Sequence, residues 1–125
     1  MKNKIKVFEN KNIRTAWNED EEDWYFSVVD IVEVLTESNN SRRYWSDLKR
    51  KLTAEGSQLY DKIVQLKLPS SDGKNYSTDV LKTKDVLRLI QSIPSPKAEP
   101  FKLWLAQVGS ERLDEIADPE QAICF

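Results

Sequence analysis

WYFSVVDIVEVLTESNNSRRYWSDLKRKL, residues 24–52, decides how the rest of the chain is read. Trp24 and Phe26 share one face of a short strand over 24–26. Ser27 then stands where a helix N-cap would, with Asp30 three residues on as the acidic partner of a capping box. Val28, Ile31, Val32 and Leu35 follow at i, i+3, i+4 and i+7, the stripe of an amphipathic helix ending near Glu37. Ser38 to Ser41 form a turn that caps a second helix, 41–55, with Gly56 as its C′ terminator. Tyr44, Trp45, Leu48 and Leu52 take one side of that helix, and Arg42, Arg43, Lys49, Arg50 and Lys51 take the rest. A link of about four residues has the length of a helical hairpin or helix-turn-helix connection.

Upstream, KIKVF (4–8) and NIRTAW (12–17) alternate polar and apolar residues and predict an antiparallel hairpin turning at Glu9 to Lys11. NEDEED (18–23) reads as an acidic turn. Downstream, KIVQLKL (62–68) and NYSTDVL (75–81) are strands joined through Asp72-Gly73, which supplies the φ > 0 position a hairpin needs. Thr83 is expected to cap a helix over 84–93 whose inner face holds Val86, Leu89, Ile90 and Ile93. Ser95 and Pro96 are the expected N-cap and N1 of a fourth helix, unless Pro100 marks the true N1. Phe101, Trp104, Leu105 and Val108 form its stripe, and Gly109 ends or bends it. SERLDEIAD (110–118) reads as an acidic helical piece, and Asp118-Pro119 as a fresh helix start. The expectation is an α+β domain over 1–120, small antiparallel hairpins packed with about four helices. Residues 121–125 then read as the truncated start of a further helical region.

Composition narrows the chemistry. The 125 residues are 39% apolar and 32% charged, and four each of Trp, Tyr and Phe are too many for a disordered chain. There is no histidine, so Ser-His-Asp machinery, His-ligated metals and His switches are excluded. Cys124 is the one cysteine, which excludes an internal disulfide and a Cys-rich zinc site. No metal and no cofactor are expected. No apolar run approaches the ~20 residues of a membrane span, so a soluble, cytoplasmic protein is expected. The paired carboxylates of 19–23 lack an apolar shell, and three glycines make no phosphate loop. A Ser-Lys dyad is left open; otherwise nothing points to catalysis, and a non-enzymatic protein is expected.

Charge is distributed unevenly. The net is −2, with pI near 5.3. Residues 18–37 carry eight acids and no base, whereas 41–52 carry five bases against Asp47, net +4. Guanidinium forks on a solvent-facing helix suit phosphate oxygens and release condensed counterions on binding. Arg42, Arg43, Lys49, Arg50 and Lys51 are therefore candidate nucleic-acid contacts, with Lys74 at the hairpin tip beside them. The competing reading is a solvated helix paired with the acidic helix before it. Trp17, Trp24, Tyr25 and Phe26 offer a base-stacking platform, although their strand periodicity favours a core.

At these residues the chain resembles a known family. WYFSVVDIVEVL (24–35) followed by SNNSRRYWSDLKRKL (38–52) is similar to the start of the BRO family N-terminal domain, found in phage and prophage antirepressors and in large DNA viruses. SSDGKNYSTDVLKTKDVLRLI (70–90) resembles that family's Asp-Gly-Lys hairpin and following helix. IPSPKAEPFKLWLAQVGSERLDEIADPE (93–120) looks like the subgroup that includes DNA-damage-inducible protein D. The final QAICF departs from the longer relatives. The resemblance spans about residues 5–120 and implies DNA binding or transcription regulation. By position it carries over the basic-helix cations and Lys74. Three readings follow: a DNA-binding antirepressor domain, a module that docks a repressor through the acidic surfaces 19–37 and 111–120, or a homodimerisation domain for a missing effector.

Overall fold

Ser27, the last residue of one strand, is followed at once by a helix, and that junction sets the layout. A computed structural model describes residues 2–111. The strands are β1 (Lys2–Phe8), β2 (Lys11–Asn18), β3 (Asp23–Ser27), β4 (Val64–Pro69) and β5 (Asn75–Lys82). The helices are α1 (Val28–Thr36), α2 (Ser41–Ala54), α3 (Gln58–Asp61), α4 (Thr83–Gln91) and α5 (Ala98–Gly109). The strands form one antiparallel sheet in the order β1-β2-β3-β5-β4, so the fold is α+β. Four of the helices match the expected ones to within a few residues; α3, a single turn, has no periodicity to announce it.

Strand alternation sends one set of side chains to the helices. Ile13, Trp17, Trp24, Phe26 and Leu81 are buried there against Val28, Ile31, Val32 and Leu35 of α1. Trp45, Leu48 and Leu52 bring α2 to the same core, and Val86, Leu89, Ile90, Phe101 and Leu105 bring α4 and α5. Trp17, Trp24, Tyr25 and Phe26 are all buried, so they build the interior and offer no stacking platform. Trp104 packs edge-on to Phe8 and Phe26 at 5.8 and 6.3 Å, while its indole N–H donates to the Val7 carbonyl at 2.9 Å.

The opposite face carries a smaller cluster, Ala16, Tyr25, Leu68 and Val80. Leu68 and Ala16 lie on strands separated by two others, so the sheet coils strongly enough to bring β4 over β2. In β1 the alternation puts Ile5 and Val7 outward and Lys6 inward, over the Trp24 ring at 4.0 Å and 3.5 Å from Glu111. Burial lowers the Lys6 pKa against the pull of Glu111.

Several expected caps work otherwise. Ser27 is the N-cap of α1 by position but makes no side-chain cap bond, and Asp30 does not reach back to it. Both groups bind Arg14 instead. Thr83 opens α4 rather than capping it, and its hydroxyl donates to Asp23 at 2.9 Å. Ser95 accepts from the Lys97 N–H at 3.0 Å, but the helix begins at Ala98, and Pro100 sits within its first turn. The expected acidic piece over 110–118, the Asp118-Pro119 start and the 121–125 segment fall, after Glu111, outside the described residues.

Gly109 closes α5 against the start of α4. A Cβ there would stand 2.5 Å from Thr83 Cγ2. Alanine would gain about 0.5–1 kcal/mol of helix preference, less than the about 1–3 kcal/mol that such overpacking costs. Gly109→Ala is therefore expected to lower the melting temperature. Adding Thr83→Ser, which removes the methyl and keeps the hydroxyl on Asp23, should recover most of the loss in the same thermal scan.

Candidate nucleic-acid interface

The basic helix is held to the sheet by one buried carboxylate. Trp45 must face the core at i, with Leu48 and Leu52 at i+3 and i+7, so Lys49 is carried to the flank facing β5. There the Asp79 Oδ2 accepts from the Trp45 Nε1–H and from the Lys49 ammonium, each at 2.8 Å. The Gln65 amide of β4 donates to Oδ1 at 3.1 Å. Burial alone would raise the Asp79 pKa, but the bonds from Lys49, Trp45 and Gln65 outweigh it and hold the carboxyl below its ordinary value.

The sequence-predicted cations therefore separate. Lys49 is half-buried and committed to Asp79. Arg42, Arg43, Arg50 and Lys51 are exposed. Arg50 pairs with Asp47 one turn back on the open face, a pairing that solvent weakens. The Arg43 N–H is capped by the Asn40 side chain at 3.3 Å, within the turn expected over Ser38 to Ser41. Of the expected pairing between α2 and the acidic α1, no ion pair is found among the described residues.

The hairpin reaches the same region. Gly73 has φ 84°, the left-handed position expected at Asp72-Gly73, and Asp72 Oδ1 accepts from the Lys74 N–H at 2.9 Å. Tyr76 donates its hydroxyl to Asp72 Oδ2. That bond, with the Lys74 N–H after it, lowers the Asp72 pKa; the same bond raises that of Tyr76, and the nearby Arg42 charge lowers both. Lys74 is exposed at the tip. Lys67 is a cation outside the sequence-predicted set. It is exposed and shares its face of β4 with Gln65, toward α2, which strand alternation alone could have indicated.

Two clefts meet at Arg14 and Arg42. One, of about 410 Å³, lies between α2 and β5 and is lined by Ser46, Lys49, Gln65, Tyr76 and Asp79. The other, of about 430 Å³, runs under the hairpin and holds Asp30, Glu33, Ser70 and Ser71. Among the described residues no group of three or more metal-ligating side chains gathers, and no helix is long and apolar enough to cross a membrane.

The acidic turn lies elsewhere. Tyr25 pairs with Lys82 and Ser27 with Val80, so the β2–β3 turn is at one end of the sheet and the 70–74 tip at the other. Lys82 meets Glu21 there at 2.7 Å.

This geometry defines a domain that presents a cation-bearing helix beside a β-hairpin on a coiled antiparallel sheet. The chain belongs to the BRO family, N-terminal domain, whose model matches residues 12–111. No curated protein and no solved structure matches it.

Removing the Asp79 charge should loosen α2. At neutral pH, Asp79→Asn is expected to cost about 2 kcal/mol in chemical denaturation, because Lys49 loses its anionic partner. The folded pKa is depressed, so this stabilisation is full above the unfolded value of about 3.9 and disappears as pH falls through the folded one. Wild type and variant should converge over that acid range.

Proposed function

We propose that this chain is a DNA-binding domain of the antirepressor type, acting in transcription regulation and of phage or prophage origin. The observation that carries the proposal is the solvent-exposed circumference of α2, which carries Arg42, Arg43, Arg50 and Lys51, with Arg42 near the hairpin tip that bears Lys74. Membership of the BRO family supports it, as does the resemblance of the 93–120 segment to DNA-damage-inducible protein D. These cations grip backbone phosphates, with Arg forks fixing orientation and Lys acting as point charges. Lys49, the sixth candidate, contributes by anchoring the helix. The reaction is binding without catalysis, and it needs no cofactor.

A second reading is favoured by the placement of the acidic turn. Glu19 to Asp23 lie at the end of the sheet away from the hairpin tip, so a basic repressor docks there without covering α2. The two surfaces are compatible in one molecule.

Anisotropy of labelled DNA tests the first reading. Affinity should fall with salt, with a log–log slope of about −4 for four or five phosphates neutralised. Arg43→Glu with Arg50→Glu should abolish binding, whereas Lys49→Gln should leave the slope nearly unchanged. Full binding by the double variant would remove α2 as the grip. Neutralising Glu19, Asp20 and Glu22 should leave DNA affinity as it was while releasing a captured repressor.

A further inference from the structure

The cleft between α2 and the hairpin has contents that a phosphate-gripping helix does not require. Three cations line it, and two are already engaged. Arg14 is bound to Asp30 and Lys49 to Asp79, which also balances the one carboxylate in the cleft. The Arg42 guanidinium makes no hydrogen bond and no ion pair among the described residues; it only feels Asp72 and Tyr76 at a distance. Ser46, one turn further along the same face of α2, adds an exposed hydroxyl, and Ser77 adds another from β5.

Tyr76 completes the arrangement. The residue is 44% exposed and lines the cleft, yet its hydroxyl is tied to Asp72. The ring is thus held in place while part of its surface remains open, which lowers the ordering cost of stacking. A volume of about 410 Å³ falls in the size range of small-ligand sites.

We propose that this cleft seats one nucleoside phosphate, with the phosphate on Arg42 and the hydroxyls beside it, and the base against Tyr76. The unit is either an unpaired or terminal nucleotide of a DNA strand or a free nucleotide. The first source rests on the DNA-binding reading above; the second does not. The cleft faces the flank of α2, whereas Arg43 and Arg50 point from its outer side. The duplex contacts of Arg43 and Arg50 and the nucleotide seat therefore lie on different sides of the helix, with Arg42 at the border between them.

The test uses the whole chain with three probes: a short labelled single strand, a duplex closed by loops at both ends, and thymidine 5′-monophosphate. Ser46→Trp fills the cleft from an exposed position, and Arg42→Gln removes its free cation. Each should weaken single-strand binding by about tenfold, the loss of one charge-assisted contact set; Ser46→Trp should leave the closed duplex nearly unchanged, and Arg42→Gln should cost the duplex only its one phosphate contact, a change of about 1 in salt slope. Thymidine 5′-monophosphate should compete with the single strand but not with the duplex. Arg43→Gln with Arg50→Gln should do the reverse. Single-strand affinity unchanged in both cleft variants overturns the seat and leaves the DNA-binding reading intact. Binding of the mononucleotide alone, lost in both variants, upholds the seat and overturns the DNA reading. No binding of any probe by the wild type at low salt overturns both.

Discussion

Arg14 is the point on which three parts of the molecule depend. Its Nε and backbone N–H both donate to Asp30 Oδ2, at 2.8 and 2.9 Å, and Nη2 donates to Oδ1 at 3.0 Å. Nη2 also reaches the Ser27 hydroxyl at 3.3 Å, and Nη1 the Pro69 carbonyl at 3.1 Å. The β2–β3 ladder ends at Thr15 and Phe26, so the next N–H of β2 has no strand partner, and the Asp30 carboxylate takes its place. One side chain thus joins β2, the strand-to-helix junction and the hairpin. The pair is largely buried, so neither member can be removed without stranding the other, a loss of about 3–5 kcal/mol where geometry is this complete.

Asp79 repeats the device on the other side of the cleft. It sits on β5, gathers donors from α2 and β4, and fixes how far the helix turns about its axis. Each ion pair removes a cation from the surface and leaves a neighbour open: Arg14 and Lys49 are held within, and Arg42 stands between them. The charge left open to solvent is therefore selected by what the folded chain has already neutralised, not by the number of basic residues in the helix.

This division explains what could be read from the sequence. The inner faces of α1, α2 and α4 follow from apolar spacing, because burial of Ile31, Trp45 or Leu89 dominates any local alternative. The Asp72-Gly73 turn and the Gly56 terminator are legible because only a left-handed residue closes them. The caps expected at Ser27 and Thr83 fail for one reason. Local hydroxyl bonding competes with long-range partners, and Arg14 and Asp23 lie 13 and 60 residues away. No spacing rule joins residue 14 to 30 or 49 to 79. In the sequence Lys49 thus looks like its neighbours, and nothing there announces the cleft.

The acidity of the whole chain argues less against a nucleic-acid partner than it first suggests. β5 runs from Asn75, beside the tip, to Lys82, beside the acidic turn, and eight residues of strand span about 25 Å. The Debye length near physiological salt is about 8 Å, so the turn is roughly three screening lengths from the tip and from the Arg42 end of α2. A phosphate there responds to the charges nearby, the cations together with Glu33 and Asp72, and the five acids of the turn hardly reach it. Lower salt lengthens that reach to about 30 Å, and the acidic end then acts on any polyanion approaching the basic one. Separation of the acidic turn from the hairpin tip along the sheet is what leaves exposed cations on an acidic chain, and ionic strength sets how far the two ends act on each other.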